Sequence, residues 1–91
     1  MICDFCHHYY GFDYYVADST PIPGVASYWY ACIFCKPSVE IGDTAELLKR
    51  AEHEAPIVAR LTGQPIRSRD AIRVSHERFW STVNLSRNAY I

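Results

Sequence analysis

The sequence predicts an α+β fold: a two-stranded β-hairpin, closed at its open end by four cysteines, packed on two or three C-terminal helices. Three observations predict it. The only cysteines form two pairs, Cys3-Asp4-Phe5-Cys6 and Cys32-Ile33-Phe34-Cys35, with 25 residues between them. That intervening stretch is rich in aromatic residues and is interrupted once, by Pro21, Pro23 and Gly24, the composition of two strands and a turn. From residue 43 onward the apolar residues recur at helical spacing. With 91 residues the chain has the length of one domain, residues 1–42 forming the hairpin part and 43–91 the helical part.

Two C-x2-C units at this separation have the spacing of a tetrahedral thiolate site, most often zinc. A two-residue spacer lets one tight turn aim both sulfurs at a single ion, and two turns supply four ligands. Cys3, Cys6, Cys32 and Cys35 are therefore the candidate ligands of a structural Zn2+, in zinc-ribbon geometry. Other chemistries share parts of this pattern. Cys6 is followed by His7, giving the C-x-x-C-H string of c-type haem attachment, but Met1 stands two residues before Cys3 and leaves no room for an export signal. A thioredoxin-like redox pair follows a strand and opens a helix, and Cys3 has no strand before it. An iron or iron–sulfur site would use the same four sulfurs. His7 and His8 read as a polar loop beside the site.

The elements follow in order. Residues 9–17, Tyr-Tyr-Gly-Phe-Asp-Tyr-Tyr-Val-Ala, read as a strand with Tyr10, Phe12, Tyr14 and Val16 on one face. Residues 18–25 are turn chemistry. Residues 26–34 read as a second strand, with Tyr28 and Tyr30 on one face and Trp29, Ala31 and Ile33 on the other. Antiparallel pairing would return Cys32 and Cys35 to the end where Cys3 and Cys6 began. Residues 36–42 read as a connector that can hold a short third strand at 39–41. Asp43 with Glu46 three residues later has the form of a capping box. It opens a helix from about Thr44 to Thr62, with Leu47, Leu48, Ala51, Ala55, Val58 and Leu61 on one side and Gly63 as its stop. Pro56 should kink this helix or split it in two at Ala55-Pro56. Ser68 can cap a last helix over about 69–83 with Ile72, Phe79 and Val83 as its apolar stripe, and 85–91 reads as a tail.

The composition, 49% hydrophobic and 21% charged, is globular, and no apolar run approaches the ~20 residues of a membrane span. A cytoplasmic chain with reduced thiols is the expectation. The net charge of −1 conceals an asymmetry, −5 over residues 1–59 and +4 over residues 60–91. Catalysis finds no support: four cysteines close the metal shell, and no H-E-x-x-H, G-x-S-x-G or P-loop pattern is present. The expected function is a non-catalytic interaction module, an adaptor or inhibitor that docks on a larger protein. Its candidate partner-binding residues are the hairpin aromatics Tyr9, Tyr15, Tyr28, Trp29 and Tyr30 with Arg69, Arg73, His76 and Trp80 of the last helix. A nucleic-acid-binding regulator using the arginine-bearing helix is the alternative, although the pI of 6.4 is low for one. A redox or haem protein is the third class.

The layout resembles the N-terminal zinc-binding domain of MqsA-type antitoxins. The likeness rests on a C-x2-C pair beginning at residue 3, a β-rich spacer, a second C-x2-C and a helix soon after, and it spans residues 1 to about 62. It implies a zinc role for Cys3, Cys6, Cys32 and Cys35. The family's Pro after the first cysteine and Gly after the second are Asp4 and His7 in this chain, and residues 44–91 do not read as the helix-turn-helix that follows in those antitoxins. The resemblance therefore extends to the metal framework and not to DNA binding or toxin neutralisation.

Overall fold

A computed structural model describes residues 1–16 and 28–82, with side chains for 1–12 and 29–81. The sequence is mixed α and β, with strands β1 (Asp13–Val16) and β2 (Tyr28–Ala31) followed by helices α1 (Lys36–Ile41), α2 (Thr44–Thr62) and α3 (Arg69–Thr82). β1 and β2 pair antiparallel in the register Asp13↔Ala31 to Val16↔Tyr28. The predicted turn at 18–25 lies outside the described residues, as do Val83 and the tail.

At the knuckle end β1 begins at Asp13 and β2 stops at Ala31, inside the predicted runs, because the N-terminal segment competes for the same backbone. Ile2 bridges Tyr10, Gly11 donates to the Met1 carbonyl, and Phe12 N–H donates to the Ala31 carbonyl at 3.2 Å. The first knuckle thus folds back on itself before the sheet proper begins. Gly11 is required there: a Cβ at this position would stand 2.5 Å from Tyr30 Cβ. Of the predicted faces, Trp29 and Ala31 are buried together, whereas Ile33 is 64% exposed because it sits in the second knuckle rather than in a strand.

Residues 36–41 correct the expected connector and third strand: they form α1. Pro37 lies in its first turn and Gly42 closes it at φ 72° with its N–H on the Ser38 and Val39 carbonyls, the usual Pro-in, Gly-out grammar of a helix. The β-branched Val39 and Ile41 suggested a strand, but Val39 is fully buried under the sulfurs, and that burial outweighs their weak intrinsic preference. α2 begins where the capping box predicts, Asp43 Oδ1 accepting from Glu46 N–H at 3.1 Å, and ends at Gly63 in the left-handed region. It is one 19-residue helix, not two short ones. Pro56 is exposed, so the Glu52 carbonyl that loses its N–H partner can turn to water. Ser68 caps α3 through Ala71 N–H at 3.1 Å.

The main core joins Phe5, Trp29, Ala31, Val39, Leu47 and Phe79 to all four cysteines. A second, smaller cluster of Ala51, Ala55 and Ile72 knits α2 to α3, with Leu48 against it. No helix among the described residues is long and apolar enough to cross a membrane.

Candidate metal centre

The two cysteine pairs, 26 residues apart in Cys6 and Cys32, meet with those sulfurs 3.9 Å apart. All four sulfur atoms lie within 4.8 Å of one another and all four residues are fully buried. Each pair is shaped by its own turn. The Cys3 carbonyl accepts from His7 N–H at 2.9 Å, and the Cys32 carbonyl accepts from Cys35 N–H at 3.1 Å and Lys36 N–H at 2.9 Å. His7 takes φ 63°, a left-handed residue that turns the chain out of the first knuckle.

Crowding the sulfurs splits their proton affinities. Hydrogen bonding from the Cys3 thiol pulls Cys6 far down and Cys32 to about 6. Contact with Cys32 holds Cys3 up, and contact with Cys3 holds Cys35 up. Without a cation the quartet has to share protons; a bound metal ion would displace them. Four buried thiols at this separation, all free of disulfides, can hold one metal ion.

The centre is packed from the first knuckle. Phe5 is fully buried between Phe79 (ring centroids 4.9 Å), Trp29 (5.4 Å) and His76 (5.5 Å). His76 Nε2–H donates to the Phe5 carbonyl at 3.1 Å, which leaves Nδ1 unprotonated, buried and without a partner. Burial holds the His76 pKa below the ordinary histidine value. Asp4 accepts from Tyr30 N–H at 2.6 Å, and Asp4 N–H donates back to the Tyr30 carbonyl at 2.8 Å, so the knuckle is sewn to β2. Burial raises the Asp4 pKa.

The second knuckle is held from the side. Tyr9 packs tilted against Phe34 with ring centroids 4.6 Å apart, and the Arg50 guanidinium lies over Phe34 at 4.6 Å and Tyr9 at 5.7 Å. Buried Glu54 joins the same group: its Oε2 is 2.7 Å from His8 Nδ1 and its Oε1 3.8 Å from Arg50. Neither Glu54 nor Arg50 is among the candidate site residues that the sequence singles out. The available signal was their i, i+4 spacing on the face of α2 that turns towards the histidine loop.

The predicted partner-binding residues separate by burial and by the contacts they make. Trp29 and His76 are corrections: at 7% and 2% exposure they belong to the core that supports Phe5 and offer no surface to a partner. Tyr9 and Trp80 pack partly against that core. Arg69 and Arg73 are exposed but already occupied, Arg69 by Glu52 at 2.8 Å and Arg73 by Glu77 at 2.8 Å and Asp70 at 3.8 Å. Tyr30 is half-buried on β2; the side chains of Tyr15 and Tyr28 lie outside those described. A cleft of about 600 Å³ opens beside Cys3, lined by His7, Arg67, Asp4 and the apolar Ile2 and Val58.

Fold and site together define a small α+β protein with a buried four-cysteine cluster able to bind a metal ion. Compared with known proteins, the chain matches no family model, no curated sequence and no solved structure.

Proposed function

We propose that the cluster is a structural tetrathiolate zinc centre of the zinc-ribbon kind and that the protein is a non-catalytic module that docks on another protein. The observation that carries the metal reading is the closeness of the four buried sulfurs. Zinc at ~2.3 Å from four thiolates in a tetrahedron spaces the sulfurs by ~3.8 Å, close to the 3.9 Å between Cys6 and Cys32. Cys3, Cys6, Cys32 and Cys35 would hold the ion, which would supply a cross-link between the N-terminus and the end of β2. A shell filled by four sulfurs has no open position for water or substrate. Around the knuckles Tyr10, Phe12, Ile33 and Phe34 remain half-exposed or more, which favours a protein partner. Arg69 and Arg73 spend their charge on neighbouring carboxylates, which counts against phosphate binding.

Native mass spectrometry with and without a chelator tests the centre. One zinc per chain is expected, with loss of tertiary structure on its removal, since such small sites contribute ~10–16 kcal/mol of apparent folding free energy. A reduced, metal-free chain that stays folded would refute it. Capture of one protein from lysate at high salt supports docking, whereas salt-sensitive retention of random nucleic acid would favour the regulator reading instead.

A further inference from the structure

Among the described residues, the apolar stripe of α2 is packed in its first half and open in its second. Ala51 and Ala55 close against Ile72 of α3, with Leu48 beside them. Further along the stripe that contact ends: Val58 is only half-buried and Leu61 is 69% exposed. The cleft of about 600 Å³ lies here, over Ala55, Val58, Ala59 and Thr62, positions three and four apart on one helix face. Two other parts of the chain complete it. The first knuckle brings Ile2, Cys3, Asp4 and His7. Gly63 ends α2 in the left-handed region, and the connector after it brings Gln64, Pro65 and Arg67.

Most of this lining is apolar, and the volume falls within the ~300–1,000 Å³ of small-molecule sites. Its two charged groups differ in what they already hold. Asp4 accepts from Tyr30 N–H at 2.6 Å, so its carboxylate is engaged by the sheet. Arg67 is the one Lys or Arg in the lining. It makes no hydrogen bond or ion pair with any described residue, and its Nη1 is buried without a partner. A guanidinium half-buried without a counter-charge is costly, and an anion entering the cleft would offset that cost. Its planar fork matches a carboxylate. One cation beside the Asp4 carboxylate suits a monoanion better than a phosphate ester, which carries more charge.

We propose that this cleft binds a small organic molecule bearing one carboxylate on a compact apolar body. Arg67 holds the carboxylate, and Ile2, Val58 and Ala59 hold the body. The site uses no sulfur ligand and no docking surface, so it does not rest on the metal or docking readings above.

The test uses the full-length folded protein, isotope-labelled, with binding read from amide shifts in two-dimensional NMR spectra. Hydrocinnamate and hexanoate are the probes. Each should give saturable shifts at Ile2, Val58, Ala59 and Arg67 with a Kd of about 0.1–1 mM. Hydrocinnamamide, the uncharged analogue, should bind at least ~10-fold more weakly. Arg67→Gln should weaken hydrocinnamate by about the same factor and leave the amide unchanged, and Arg67→Lys should fall between. Ala59→Leu, which fills the cleft from α2, should abolish binding of both. Arg60→Gln makes the same change in net charge on an exposed residue outside the cleft and should bind as wild type. The same spectra show whether each variant is folded; should Arg67→Gln lose its fold, the acid–amide comparison and Ala59→Leu decide. No saturable shift from either carboxylate at up to ~10 mM would overturn the proposal. So would an amide that binds as tightly as the acid, an Arg67→Gln variant that binds as wild type, or phenethyl phosphate binding more tightly than hydrocinnamate.

Discussion

The two knuckles are near-copies in sequence, Cys-Asp-Phe-Cys and Cys-Ile-Phe-Cys, yet the molecule uses them in opposite ways. In the first, Phe5 points into the core and touches Phe79, Trp29 and His76. In the second, the matching Phe34 is 50% exposed and Ile33 64%. Their other spacers differ as well. Asp4 fastens its turn to β2 through Tyr30, while the second turn runs straight into α1. A C-x-x-C turn thus fixes where two sulfurs point and leaves open what its middle residues meet. The first knuckle is a plug between sheet and α3, and the second a lid whose outer side faces solvent.

The largest effect should ignore this asymmetry. Cys3→Ser and Cys32→Ser remove equivalent ligands and should abolish stoichiometric metal uptake alike; a Cys32 variant that kept full zinc would separate the knuckles where they are expected to act as one. Next comes the contrast itself. Phe5→Ala deletes a fully buried ring from the centre of the core and should cost ~3–5 kcal/mol in urea unfolding of the metal-loaded protein. Phe34→Ala removes a half-exposed ring and should cost no more than ~1–1.5 kcal/mol. Equal losses would show that the second knuckle is not the looser one. Smaller again is the tie to β2. Asp4→Ala strands the Tyr30 N–H and should cost ~1–2 kcal/mol, whereas Asp4→Asn keeps an acceptor and should cost less.

The last effect is a pH slope confined to the first knuckle. His76 has a lowered pKa in the folded state, so below its ordinary value the unfolded chain binds the proton and the folded chain does not. Stability should then be fully present above pH ~6.5 and fall as the pH drops below it. Metal-loaded His76→Gln should lose part of that slope, compared with wild type by urea titration between pH 7 and 5.5. An unchanged slope would place the sensitivity elsewhere.

Several of these features were legible in the chain alone. The paired cysteines named the four sulfurs that the fold brings together, because a two-residue spacer leaves few other geometries. Asp43, Glu46, Gly63 and Ser68 marked the ends of α2 and α3, since capping is chemistry between residues three or four apart. α1 was misread although Pro37 and Gly42 announce it, because two β-branched residues were weighed above its boundaries. Pro56 was read as a kink or a split, and the split does not occur; the exposure that lets water take up the freed carbonyl is not visible in sequence.

What the sequence determined by itself is therefore local: which sulfurs can share an ion, and where helices start and stop. Tertiary structure alone decided which of two similar turns is buried and why Trp29 and His76 serve the core rather than a surface. The reason is physical. Turn and cap energies depend on neighbours in the chain, whereas burial and charge compensation depend on groups brought together from far apart, such as His76 with Phe5 and Glu54 with His8.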